Sequence, residues 1–110
     1  MSNLEDIVQT IKDIEVGRES TKTVDKTTTV GATSTSVLAA NNKRVGAVFT
    51  NNSSEDIYLR KGPIAELNKG ILLVAYGGYH EINATNIYKG EVTAICTSGS
   101  KVLCVEEYER

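Results

Sequence analysis

The hydrophobic pattern of this chain changes abruptly near residue 20, and this change constrains the fold more than any other feature. Before it, four apolar residues recur at spacings of three, four and three, which is the seam of an amphipathic helix: Leu4, Ile7, Ile11 and Ile14. From about Thr21 onward the chain is rich in Thr, Val, Gly and Asn, and short alternating runs are separated by turn residues. The sequence therefore predicts a short N-terminal α-helix within residues 1–19, ahead of a mainly β domain.

The predicted helix has well-marked ends but is short. Ser2 and Glu5 have the spacing of a capping box, and Gly17 is a suitable C-terminal stop. A helix of about 14 residues is marginal in isolation, so its apolar seam must be buried against another surface. That surface is either the protein's own β domain or a second molecule, and the narrow seam favours self-association or docking. Isoleucine along the seam favours three or more helices over two.

Charge and hydropathy exclude several classes of partner. The formal net charge is −2, and residues 43–110 carry eight basic and eight acidic side chains. A nucleic-acid partner is not expected, because it would require a clustered basic face. The chain has no run of 18 apolar residues, and its acidic N-terminus lacks the apolar core of a signal peptide. We therefore expect neither a membrane partner nor Sec-type export.

Residues 20–36 contain ten Ser or Thr in seventeen positions. Such a segment is either a flexible linker or an edge strand, and Val24 and Val30 with their β-branched neighbours favour the strand. A strand made mostly of hydroxyl side chains buries little by itself, so a neighbouring subunit is one candidate for its pairing partner.

Residues 37–110 have the pattern of consecutive hairpins. Val45–Phe49 and Ile57–Arg60 alternate between two faces, and the run Ile71–Ala75 is apolar on both faces, which predicts a central strand. The turn at residues 97–100 predicts a hairpin between Val92–Cys96 and Lys101–Glu106. Seven or eight short strands at spacings near ten residues predict a single antiparallel β-sandwich, jelly-roll-like in arrangement.

Residues suited to chemistry are few. His80 is the only histidine, and a metal site would need further ligands, so we expect a surface or subunit-contact residue. Gly77-Gly78 has no helix behind it and is interpreted as a turn rather than a phosphate loop. Cys96 and Cys104 either form a disulfide across the predicted hairpin or remain thiols, and a cytoplasmic origin favours thiols. No catalytic residue, metal or cofactor is predicted.

The order of short motifs resembles a known group of proteins. The motifs are Val37-Leu38-Ala39-Ala40-Asn41, Arg44, Phe49-Thr50-Asn51, Ile57-Tyr58-Leu59, Gly70-Ile71-Leu72-Leu73, Gly77-Gly78, Glu81-Ile82, Asn86-Ile87-Tyr88 with Gly90, and Val92-Thr93-Ala94-Ile95. This pattern is similar to that of small β-rich virion proteins of tailed bacteriophages, of the capsid decoration or head-fibre type. The resemblance implies a non-enzymatic structural protein located in the virion. It also implies a homo-oligomer whose partner is the major capsid protein or another virion protein, and the isoleucine seam makes a trimer the favoured state.

Two other functions remain open from the sequence. One is a tail-associated or fibre-tip module that recognises a host glycan, and the other is a component of the head–tail connector. Sugar sites favour exposed aromatic rings with polar rims. The candidate rings for surface recognition are Tyr58, Tyr76, Tyr79 and Tyr88.

Overall fold

The computed structural model describes residues 22–110, and within them nine strands form two antiparallel sheets. The mainly β prediction is confirmed. The predicted helix, with its seam residues Leu4, Ile7, Ile11 and Ile14, lies outside the described residues. The strands are β1 (Lys22–Asp25), β2 (Thr28–Val30), β3 (Thr35–Leu38), β4 (Arg44–Asn51), β5 (Ile57–Lys61), β6 (Ile71–Leu73), β7 (Tyr79–Ile82), β8 (Val92–Cys96) and β9 (Lys101–Glu109).

The first half of the chain pairs with the second half in a nested order. β1 and β2 pair with β9, β3 pairs with β8, β4 with β7, and β5 with β6, all antiparallel. Two further pairings, β4 with β9 and β5 with β8, complete the sheets. The five-stranded sheet therefore has the order β1-β9-β4-β7, with β2 beside β1 along β9, and the four-stranded sheet has the order β3-β8-β5-β6.

The Thr/Ser-rich segment carries two short strands along one edge of the five-stranded sheet. β1 pairs with the C-terminal part of β9, from Lys22 opposite Glu109 to Asp25 opposite Glu106. β2 pairs with the N-terminal part of β9. Their pairing partner belongs to the same chain, so a neighbouring subunit is not required. The backbone ladder of β9 holds these strands even though their side chains bury little.

The inner faces of both sheets meet in one hydrophobic core. Alternation sets these faces, as in β5, where Ile57 and Leu59 point inward. The five-stranded sheet contributes Val30, Ala47, Phe49, Ile82, Leu103 and Val105, and the four-stranded sheet contributes Val37, Leu38, Ile57, Leu59, Leu73, Val92, Ala94 and Cys96. Each large side chain buried here contributes roughly 1.5–3 kcal/mol to the free energy of unfolding.

A buried ion pair lies beside this core. Arg44, at the start of β4, is fully buried, and its Nε donates to Glu107 of β9 at 2.7 Å. The other guanidinium nitrogens donate to the backbone carbonyls of Tyr88, Gly90 and Ala39 at 2.7–2.9 Å. One side chain thus fixes two loops against two strands of the five-stranded sheet.

The prediction of a central strand at Ile71–Ala75 is wrong. Only Ile71–Leu73 is a strand, and it forms an edge of the four-stranded sheet. Leu73 is fully buried, but Leu72 and Val74 are 50% and 52% exposed. The run is apolar on both faces, but among the described residues only the face that carries Leu73 is buried.

The predicted hairpin between β8 and β9 is also wrong. β8 lies in the four-stranded sheet and β9 in the five-stranded sheet, so the turn at residues 97–100 connects the two sheets. Cys96 and Cys104 are consequently on different sheets, and both are free thiols. Cys96 is buried in the core and Cys104 is half-buried on the outward side of β9, which excludes the disulfide alternative in this structure.

Within residues 22–110 no helix is long and apolar enough to cross a membrane.

Candidate interaction surfaces

The four tyrosines predicted for recognition do not form one platform. Tyr58 on β5 is half-buried, and its hydroxyl donates to Asn68 at 3.0 Å. Tyr88 is half-buried against the core and donates to the carbonyl of Glu91 at 3.0 Å. Tyr76 and Tyr79 are exposed, but Tyr76 lies in the loop after β6 and Tyr79 lies on β7 of the five-stranded sheet.

Tyr76 is displayed on a fixed backbone. Its side chain is 81% exposed, and its φ of 58° lies in the left-handed region, which is uncommon for residues other than glycine. The amide of Tyr76 donates to the carbonyl of Ser53 at 2.9 Å, and the amide of Gly77 donates to the carbonyl of Asn51 at 2.8 Å. Asn51 is fully buried, so the loop is anchored on the end of β4. A large exposed aromatic ring held in this way is typical of an interface contact.

Two glycines allow a close approach of backbone segments, one just before β6 and one in the loop that follows it. Gly70 has a φ of 85°, and a Cβ there would lie 2.5 Å from the carbonyl oxygen of Leu59. A Cβ on Gly78 would lie 2.2 Å from the amide nitrogen of Val74. Both positions require glycine because a backbone segment passes too close for any side chain, that of β5 at Gly70 and that of the loop after β6 at Gly78.

The region around β6 concentrates the exposed hydrophobic side chains. Residues 64–76 contain five of the eight large exposed hydrophobics in the described chain, although they make up a small part of it. We call this set the apolar edge: Ile64, Leu67, Leu72, Val74 and Tyr76. β6 is also the last strand of its sheet among the described residues, so one side of its backbone has no partner strand there. Unpaired edges and exposed apolar patches both mark association surfaces.

Hydrogen bonds hold the loop between β5 and β6 in place. It covers the outer face of the four-stranded sheet, where Thr93 is buried and donates to the carbonyl of Gly62 at 2.9 Å. Ala65 is buried as well, and its amide donates to the hydroxyl of Ser34 at 2.9 Å. Ile64, immediately before Ala65, is nevertheless exposed. Its exposure is therefore a feature of the folded loop.

A second surface is the outward side of the five-stranded sheet. Cross-strand pairing places Asp25 beside Glu106, and Glu106 and Glu81 on either side of Val48. No Lys or Arg occupies an outward strand position of this sheet, and none of the three carboxylates forms an ion pair within residues 22–110. We call this surface the acidic face.

Two tyrosines belong to the acidic face. Tyr79 donates to Glu81, and Tyr108 donates to Glu106, both at 3.0 Å. The hydrogen bond to Glu81 is the main cause that raises the pKa of Tyr79. Burial is the main cause that raises the pKa of Tyr108, followed by its hydrogen bond to Glu106. Both rings thus remain neutral donors that fix the two carboxylates in position.

The acidic face contains a shallow pocket at an irregularity of β4. The register of β4 with β9 shifts between Arg44 and Gly46, which is typical of a β-bulge. Gly46 pairs with Tyr108 and leaves the space beside the ring open. The pocket has a volume of about 170 Å³ and is lined by Val45, Gly46, Glu81, Ile82, Asn83, Ala84 and Tyr108.

Tyr108, which lines the pocket of the acidic face, was not singled out from the sequence. The available signal was alternation along β9, which places Cys104, Glu106 and Tyr108 on one side and Leu103 and Val105 on the other. That alternation identifies a face, but the partner strands that bring Glu81 beside it are distant in sequence.

His80 is half-buried rather than on the open surface. Its ring stacks on Phe49 with the centroids 6.2 Å apart, and its Nε2 is buried without a hydrogen-bond partner among residues 22–110. Burial, and to a smaller extent the positive charge of Lys61, lowers the pKa of His80. The described residues contain no group of three or more His, Cys, Asp or Glu side chains arranged to hold a metal ion.

Comparisons of the chain with protein-family models, with curated proteins and with solved structures found no match.

Proposed function

We propose that this protein is a non-enzymatic structural component of a bacteriophage virion, which assembles as a homotrimer and decorates the capsid surface. The exposed apolar edge carries this proposal. A set of apolar side chains on anchored backbone, next to an unpaired strand edge, is suited to permanent contact with another protein surface. The motif pattern that resembles phage decoration and head-fibre proteins supplies the biological setting.

The strand order supports the same assignment. With β1 and β2 counted as one interrupted strand, the nested pairs form eight strands folded as one long hairpin rolled into two sheets. This is the arrangement of a jelly roll, an architecture that viral capsid proteins share with lectins and cupins. Fold alone does not determine function, so the exposed apolar edge and not the jelly-roll order carries the proposal.

Assembly is tested by light scattering on the purified full-length chain. We expect a mass three times 11.9 kDa at micromolar concentration. Leu72→Lys places a charge on the apolar edge and should reduce the mass, while Val102→Lys is a matched control because Val102 is exposed on the other sheet. A monomeric wild type, or equal effects of the two substitutions, would contradict assembly through the apolar edge.

Virion location is tested by immuno-electron microscopy on purified particles. Labelling over the capsid surface supports decoration. Labelling confined to the junction of head and tail would instead identify a connector component, and labelling at fibre tips would identify a recognition module. Co-sedimentation with undecorated capsids then measures attachment directly.

Glycan recognition is the second candidate function, and the display of Tyr76 favours it. An exposed tyrosine on fixed backbone provides an apolar ring for stacking on a sugar. If this function is correct, Tyr76→Ala abolishes binding to a glycan array, whereas Tyr58→Phe, at a half-buried tyrosine, leaves it unchanged. Absence of glycan binding by the wild type would refute it.

A further inference from the structure

We infer that the acidic face is a docking surface for a basic segment of another protein, with an arginine side chain of that segment seated in the pocket beside Tyr108. This inference is independent of the proposed assembly, since the apolar edge belongs to the other sheet. It concerns a separate partner surface on the same molecule.

Charge complementarity is the first argument for a cationic partner. Asp25 and Glu106 stand side by side on the adjacent strands β1 and β9, Glu81 lies on the same face across β4, and within the described chain no cation pairs with the three. Carboxylates of like charge placed side by side repel each other, and a bound cation relieves this repulsion. A neutral partner would leave it in place.

The pocket selects arginine. Gly46 has no side chain, so the space beside the Tyr108 ring is open, with the Tyr108 Cδ2 only 3.4 Å from where a Cβ on Gly46 would lie. Glu81 lines the same pocket. A planar guanidinium can stack on an aromatic ring while it donates to a carboxylate, which a lysine ammonium does less well. The volume of about 170 Å³ accommodates the end of such a side chain.

The carboxylates are already oriented for a cation. Each tyrosine hydroxyl donates to one carboxylate oxygen, Tyr79 to Oε1 of Glu81 and Tyr108 to Oε1 of Glu106. Among the described residues, the second oxygen of each group accepts no hydrogen bond. Because ionised carboxylates only accept, these oxygens suit the N–H groups of a guanidinium.

The experiment is a titration of the ¹⁵N-labelled full-length protein with the peptide acetyl-Gly-Arg-Gly-Arg-Gly-amide, followed by amide chemical shifts. The matched probe replaces both arginines by citrulline, which has nearly the same shape and no charge. We expect the arginine peptide to shift the amides of Gly46, Glu81 and Tyr108, and its binding to weaken as salt rises. The citrulline peptide should not shift them.

Substitutions then localise the interaction. Glu81→Gln and Glu106→Gln should each weaken peptide binding by about tenfold or more, because each removes one charge of a close ion pair. Gly46→Ala should weaken it as well by filling the floor of the pocket. Glu66→Gln is the control, since Glu66 is exposed in the loop on the other sheet and pairs with Arg60 and Lys69.

Four results would overturn the inference. Equal binding of the citrulline peptide, or undiminished binding to Glu81→Gln, would remove the role of charge. Shifts of the same amides by a neutral oligosaccharide, insensitive to salt, would assign the face to glycan instead. Shifts of these amides on raising the protein concentration without peptide would show that a second copy of the chain occupies the face.

Discussion

At the scale of single residues, the Arg44–Glu107 pair has the largest expected effect on stability. Both side chains are buried, and every guanidinium nitrogen donates a hydrogen bond, Nε to one carboxylate and the other two to three carbonyls. Glu107→Gln keeps the shape but leaves the buried cation without its counter-charge. We expect a loss of about 3–5 kcal/mol in the free energy of unfolding, measured by urea denaturation. Glu106→Gln, at the adjacent exposed position, should change it by less than about 1 kcal/mol. Similar losses for the two variants would show that burial of the pair has no special cost.

His80 makes the free energy of unfolding depend on pH over the range in which its imidazole titrates. Because its pKa is lowered in the folded state, the unfolded chain binds more protons once the pH falls below about 6.5. Stability from His80 is therefore present above pH 6.5 and is lost as the pH falls through the lower folded pKa. We expect the urea midpoint of the wild type to decrease between pH 7.5 and pH 5.5. Since His80 is the only histidine, His80→Gln should abolish that decrease. An equal decrease in the variant would assign it to other groups.

The reactivity of the two cysteines tests whether β8 and β9 lie in different sheets. Burial raises the pKa of Cys96 and also shields it, so its thiol should react slowly with an alkylating reagent. Cys104 is half-buried on the outward side of β9. Mass spectrometry should therefore show one label on the native protein, at Cys104, and two after denaturation without reductant. A protein that takes no label in denaturant would contain a disulfide and contradict this arrangement.

At the scale of elements, the geometry of β6 depends on glycine. A Cβ at Gly78 would lie 2.2 Å from the backbone nitrogen of Val74, so Gly78→Ala must displace the loop that presents Tyr76. Overpacking of this kind costs about 1–3 kcal/mol or more. We expect a lower melting temperature and weaker oligomerisation. Gly99→Ala is the control, because the nearest atom to its Cβ would be 3.9 Å away. Unchanged melting of Gly78→Ala would show that the loop adjusts freely.

The sequence was sufficient to predict individual strands but not their neighbours. Alternation correctly grouped Ile57 with Leu59 in β5 and Ala47 with Phe49 in β4, and both pairs are buried. Val45, which the same alternation places with Ala47 and Phe49, is only half-buried because the register of β4 shifts beside it. It could not show that β8 and β9 belong to different sheets, since the same four-residue turn can close a hairpin or connect two sheets. The position of β6 was missed for a related reason. An apolar run has the same pattern whether its second face is buried inside the chain or left exposed.

The candidate sites were less predictable than the strands. Tyr76 and Tyr79 were identified from residue type, and both are exposed. The acidic face was not identified, because Glu81 and Glu106 approach each other only through the pairing of β7 and β9 with β4. The pocket at Gly46 depends on a register shift, which leaves no reliable signature in a single sequence.

At the scale of the whole molecule, the core formed by the described residues lies within residues 30–105. All members of the buried cluster lie in that range, and both sheets contribute to it. The first strand begins at Lys22. The sequence before residue 20 is thus not required for any core contact between described residues. Its helical seam remains a prediction about association rather than about folding.

Deletion of residues 1–19 separates these two roles. We expect the truncated chain to keep its far-UV strand signal and cooperative urea unfolding, because the described core and both sheets are retained. We expect a lower oligomer mass, or weaker co-sedimentation with capsids, because the seam of Leu4, Ile7, Ile11 and Ile14 is lost. Light scattering beside circular dichroism distinguishes the outcomes. An unfolded truncation would show that the seam completes the core, and a folded truncation with full assembly and full capsid binding would leave association to the apolar edge alone.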